Sequence, residues 1–413
     1  MLKASALYIV IVIAVVIAIF SASLISTAYF YRLELQKNMR YDRLLTNLNS
    51  GTAILLSKDY NQYESDMLTA MPGDNSDSII LRKEKWGLYD LASVKSFTLS
   101  DTVKKAFFIA ENYNDLSAMY VSDEDRPISV SGSTRITGDA IVPKAGIKQA
   151  YVEGKPYSGG KELVNGVIRS SSRSLPPLSA ERLSFIERWL NDTRGNASNL
   201  TDSVFNSFFH EAQVIRISKS AASVSNTSIG GKIILLCDTT LRISRSAALH
   251  NVLVFAPAIV IEEGFNGTCQ LFARDSIVAG KNTVFNYPSC MGIIKSSSSK
   301  IQSKIALGSG SVFSGILFAF EKSRSDLQTQ ISMGKNCRVK GEVYASGFIK
   351  MERPVTVFGK VSCNRFIIQT PTTLYENYLI DITLNRKNLS KYYLSSSLFS
   401  QSIPERRILK WLN

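Results

Sequence analysis

The hydrophobic pattern divides the chain into one long apolar run and many short ones. From Ala4 to Tyr31 no residue is charged, and positions 7–20 read LYIVIVIAVVIAIF. A helix rises about 1.5 Å per residue and a bilayer core is about 30 Å thick, so about 20 apolar residues span it. Tyr29-Phe30-Tyr31 followed by Arg32 forms the aromatic and basic edge of an interfacial belt. A cleaved signal peptide is the competing reading, since Lys3 supplies a basic start and Ser21-Ala22-Ser23 supplies small residues. Signal cores run about 7–15 residues, and this one continues past that, so a retained single-pass transmembrane helix is expected.

Beyond the run, Leu33, Leu44, Leu45, Leu48, Ile54 and Leu55 recur at helical intervals among charged positions. Residues 1–59 are therefore expected to form an anchor and stalk in one helix, with Gly51 its weak point. Met71-Pro72-Gly73-Asp74-Asn75 is a turn cluster. Residues 60–127 hold short strand-like pieces (78–81, 86–89, 96–99, 105–110) and are expected to form a small α/β or β-rich region.

From about residue 128 the pattern changes again. Glycines pair at Gly132/Gly138, Gly308/Gly315 and Gly334/Gly341, each second one opening a short alternating strand. Apolar strands lie between, among them 233–236, 252–255, 259–261, 271–273, 276–278 and 355–358. Short strands with Gly, Asn and Ser corners, recurring about every 20 residues, signify a β-solenoid, in which stacking buries what one coil cannot. A β-sandwich of many short strands is the competing architecture. Residues 128–371 are thus expected to form an irregular right-handed parallel β-solenoid, in a chain that is mainly β. Leu183, Ile186, Trp189 and Leu190 line one face of a helix inserted near 179–192, with residues 193–206 as its polar exit loop. Ser296–Ser299 reads as a polar excursion, and 372–413, which loses the glycine corners, as a C-terminal cap over exposed strand edges.

Composition narrows the chemistry. Hydrophobic residues make up 45% of the chain and charged ones 20%, as in a folded protein. The net charge of +14 suits nucleic acid, anionic lipid or acidic glycan, but the basic residues are diffuse, with no run longer than pairs such as Arg406-Arg407. No nucleic-acid partner is expected. Cys237, Cys269, Cys290, Cys337 and Cys363 match no zinc spacing and are odd in number, so they read as small buried hydrophobes. His210 and His250 each lack a second histidine at ligand spacing. Gly159-Gly160-Lys161 falls short of a phosphate loop, because Glu162 stands where Ser or Thr is needed and Lys155 where the first glycine is needed.

Glu262, Glu263 and Asp275 are the carboxylates to weigh for glycoside chemistry. Adjacent strand residues point to opposite faces, so Glu262 and Glu263 cannot both face one substrate unless they sit at a bulge. No enzyme is expected, and no catalytic, cofactor-binding or metal residue is assigned.

The opening phrase Lys3-Ala4-Ser5-Ala6-Leu7-Tyr8, its Val/Ile run and the charged helix after it are similar to large minor pilins and pseudopilins. That resemblance implies a body outside the cytoplasm. Counting Arg32, Lys37, Arg40 and Arg43 against Lys3 alone implies the reverse. The strands and glycine corners of 128–365 resemble bactofilin-like polymer-forming β-helices, which are cytoplasmic scaffolds. The expectation is a membrane-anchored structural or assembly protein of the cell envelope, in the bacterial inner membrane with its body periplasmic. Its expected partners are the membrane, other envelope or filament-assembly proteins, and copies of itself. The alternative is a carbohydrate-binding or carbohydrate-cleaving β-helix protein.

Overall fold

The computed structural model describes residues 2–70, 77–98, 101–193, 197–198, 200, 203–296, 300–369, 373–399 and 405–412. The expected turn at 71–75 and most of the Ser296–Ser299 excursion lie outside the described residues. The chain forms two compact units, one of Met1–Lys83 with Ala92–Ala106, the other of Glu84–Leu91 with Phe107–Asn413.

In the first unit, a single helix, α1, runs from Leu2 to Leu56. It is long and apolar enough to cross a membrane, and from Ala6 to Met39 none of its side chains is buried. The pattern then changes. Leu44, Leu48 and Leu55 are fully buried, spaced so that they share one helical face. Gly51, the weak point by propensity, is where the helix comes close against the unit's strands. A Cβ there would lie 2.8 Å from Val94 and 2.9 Å from Leu81, so the packing requires the missing side chain. Arg40 pairs with Asp101 at 2.9 Å. The strands Met67–Ala70, Asp77–Trp86, Tyr89–Thr98 and Asp101–Asn112 follow in sheet order.

The second unit is a parallel, solenoid-like sheet, and its register shows three columns of strands. One inward row of the middle column runs Leu235, Val254, Leu271, Met291, Leu317, Val343, Val361, each opposite the next. The row then jumps in sequence, because Val361 faces Met119 and Met119 faces Ala140. Ser117–Val121 and Asp139–Val142 therefore stack beyond residues 355–369, although they precede them by more than 200 positions in the chain. Ile382–Asn385, from the segment expected to be a cap, fills the same gap in the first column between Val355–Val357 and Arg135–Thr137. The pairing closes on itself, and the coils do not stack in chain order. The physical reason is that the outermost coils are completed by segments distant in sequence, which seal edges that a simple solenoid leaves open.

Corners carry Asn251, Asn282 and Asn336 at positive φ, which the asparagine side chain tolerates better than most. Gly315, Gly341 and Gly359 stack in register, and a Cβ on Gly341 would sit 2.0 Å from the Gly315 carbonyl oxygen. Inside, Phe265, Phe285 and Phe313 stack with centroids 5.4 and 5.6 Å apart. The inserted helix, α2, spans Ala180–Leu190, with Ser179 capping the Arg182 amide at 3.3 Å. Its Arg182, Leu183, Phe185 and Ile186 are buried.

Candidate functional site

Glu262 and Glu263, weighed as neighbours on a strand, instead follow the strand that ends at Ile261. Glu262 and Glu263 are both exposed at a coil corner. The Ser244 hydroxyl donates to Glu262 at 2.7 Å and the Arg245 amide at 3.1 Å, which holds its carboxyl below the usual range. Glu262 thus tethers one coil to the next. Among the described residues no group of three His, Cys, Asp or Glu is placed to hold a metal ion. Gly159-Gly160-Lys161 lies in a loop between strands. All five cysteines are buried and free, and burial pushes the Cys269 thiol up to about 12.

The structure does form one lined groove that sequence reasoning missed, with a volume of about 410 Å³. Its floor follows from strand alternation in the first column. Val204, Ile229 and Leu249 are in register on the inward side, so Phe205, Gly230 and His250 form the outward row. Gly230 makes a notch in this row, where a Cβ would lie 3.4 Å from the Phe205 ring. Lys410, Trp411 and Leu412 of the C-terminal strand complete the lining with Phe208, Asn251, Ser203 and Ser228. Phe205 is 70% exposed and Trp411 49% exposed, although Trp411 also packs edge-on against Phe107 at 5.2 Å.

Asn251 sits at positive φ. Its carbonyl accepts from the Trp86 indole at 3.1 Å, and its side-chain oxygen accepts from Lys410 Nζ at 3.3 Å. Among the described residues, Lys410 has no carboxylate partner and is the sole charged side chain of the lining. Sequence carried only a faint signal for this groove: alternation puts Phe205 outward, but nothing local brings Trp411 to it.

Two other hollows are already satisfied. One, of about 430 Å³ at the C-terminal end of α2, contains Arg216, which pairs with Asp238 and Asp192, and Arg274, which donates to Asn191 at 2.6 Å. The other, of about 70 Å³, holds Glu342 bonded to the Ser395 hydroxyl and Asp115 paired with Lys360 at 2.6 Å. Compared with known proteins, the chain matches no family model, no curated protein and no solved structure.

Proposed function

We propose that this chain is a membrane-anchored structural or assembly protein of the cell envelope, a pilin-like subunit of a secretion or surface-filament machine. Its body lies outside the cytoplasm and its coils wind as an irregular right-handed parallel solenoid. One observation carries the reading: a single helix passes without a break from a bare apolar segment of membrane length to the buried Leu44, Leu48 and Leu55. Such a helix holds a folded body at a fixed reach from the bilayer. The partners are the membrane, other envelope or filament-assembly proteins, and further copies of the chain. Ile168–Ser170, a strand exposed at every residue, supports the last of these.

The test pairs two measurements. A reporter that fluoresces only in the cytoplasm, fused after Asn413, stays dark, and carbonate-washed membranes retain a protein whose N-terminus precedes Ala22. A bright fusion, or a soluble protein starting near Ala22 or Leu24, overturns the reading. A second reading, a carbohydrate-binding β-helix protein, draws support from the aromatic groove. Its cleaving form draws none from the groove, whose lining holds no carboxylate among the described residues.

A further inference from the structure

We infer that the groove between Phe205 and Trp411 binds one sugar unit of an acidic, uronate-bearing glycan. This deepens the carbohydrate-binding reading above and is independent of where the body lies.

Four observations converge on that ligand class. The volume of about 410 Å³ falls within the range of small-ligand clefts. Two large aromatic side chains stand in water there, Phe205 at 70% and Trp411 at 49% exposure. The negative face of an aromatic ring attracts the outward-polarised C–H bonds of a pyranose, so a sugar face covers these rings well. Hydroxyl-bearing and amide side chains border the same space: Ser203, Ser228, Asn251 and His250 can donate to or accept from ring hydroxyls. The floor is notched at Gly230, which leaves room for a substituent between Phe205 and His250.

Charge then selects among sugars. Among the described residues Lys410 is the lone charge in the lining and lacks a carboxylate partner, while the whole chain carries +14. A single ammonium facing a stacked ring fits one carboxylate per bound unit. A neutral sugar leaves that ammonium unpaired. A nucleic acid strand carries a charge on every unit and is held by a track of cations, which this lining does not provide.

The experiment uses the full chain in detergent micelles, titrated with oligogalacturonate, with a neutral cello-oligosaccharide of equal length, and with a single-stranded oligonucleotide. Tryptophan fluorescence reports binding. Oligogalacturonate is expected to bind about tenfold or more tighter than the neutral oligomer, with the margin shrinking in high salt. Lys410→Gln should remove most of that margin. Phe205→Ala should weaken both saccharides by about tenfold at an unchanged melting temperature, since the side chain is mostly in water. Gly230→Ala, whose Cβ would fill the notch in ordinary contact, 3.4 Å from the Phe205 ring and 3.6 Å from the His250 Cβ, should weaken binding as well and serves as the second variant.

The inference is overturned if neither saccharide binds, if the neutral oligomer binds as tightly as oligogalacturonate, if Phe205→Ala and Gly230→Ala bind as the parent does, or if the oligonucleotide binds more tightly than oligogalacturonate. A cytoplasmic body would overturn the envelope reading and leave these titrations unaffected, so the two failures are distinguishable.

Discussion

The middle and third columns of the coil stack are built from the same backbone yet differ in what lies outside them. In the third column the pattern alternates: Ile259, Ile277, Ile305, Ile331 and Ile349 are fully buried, and their neighbours Val260, Val278, Ala306, Ser332 and Lys350 are only partly covered. In the middle column both sides are buried. Val254 points into the core, and Phe255 beside it stacks outward on Phe272 at 5.1 Å and on Trp189 of α2 at 6.1 Å. The sequence differs accordingly, with runs such as ILLC, VLVFA and GILFAF in the middle column, against TLRI, KIAL and QISM in the third. A strand wetted on one face alternates, and a strand covered on both faces reads as a continuous apolar run.

The sharpest way to break this comparison is to place a charge on each side of each column. Val254→Asp and Phe255→Asp should both collapse the body, since each buries an unpaired carboxylate at a cost of several kcal/mol, comparable to a domain's total of about 5–15 kcal/mol. Ile277→Asp should do the same, but Val278→Asp should cost no more than about 1 kcal/mol. Denaturant titration of the four variants reads the difference. A tolerated Phe255→Asp would mean that α2 and its neighbours do not seal the outer face of the middle column.

A smaller effect tests how that outer layer is fastened. Its row includes polar residues, and Gln270 is one of them. The Gln270 side chain accepts from the Leu88 amide at 2.8 Å and donates to the Trp86 carbonyl at 3.1 Å, inside a turn where Gly87 has φ +60°. Gln270→Ala leaves two buried backbone groups unpaired and should cost about 2–3 kcal/mol, less than a buried charge. Gln270→Glu keeps the acceptor and loses the donor, and should fall between. If Gln270→Ala melts with the parent, water replaces both bonds and the clip contributes nothing.

Much of this architecture was legible in the residues themselves. The uncharged run and the spacing of Leu44, Leu48 and Leu55 mark α1, and Leu183 and Ile186 mark α2. Asparagine corners and lone cysteines mark stacked coils, because left-handed corners and narrow interiors restrict residue choice locally. What stayed hidden is what depends on distance along the chain. Nothing near Met119 says that it will meet Val361, since any coil edge offers the same parallel ladder. The groove is hidden for the same reason: Phe205 and Gly230 are ordinary strand residues until the C-terminal strand brings Trp411 beside them. The outer layer of the middle column could have been read from the runs ILLC and VLVFA, which carry no polar alternate.

The mildest test concerns Glu342, the second polar residue of that outer row. It is buried, bonded to the Ser395 hydroxyl, and in register with Lys360. Burial raises its pKa above the ordinary 4.5; the bond from Ser395, then Arg386 and Lys360, act the other way, and Asp115 adds to the rise. A carboxyl whose pKa is higher folded than unfolded binds more protons in the native state, so stability falls as pH rises between the two values. Glu342 therefore contributes fully below about pH 4.5, and its contribution is lost as pH climbs through its raised native value. Glu111, also raised mainly by burial, adds to the same trend, while Asp381, held low by Lys155 and Ser133 against its own burial, opposes it at acid pH. Glu342→Gln retains the size and hydrogen-bonding capacity of the protonated acid but cannot ionise. Parent and variant should melt together near pH 4.5, and the variant should become the more stable of the two as pH rises toward 8. A gap that opens over the same range with the parent as the more stable of the two would mean that Glu342 is held as a carboxylate, with Arg386 and Lys360 outweighing its burial.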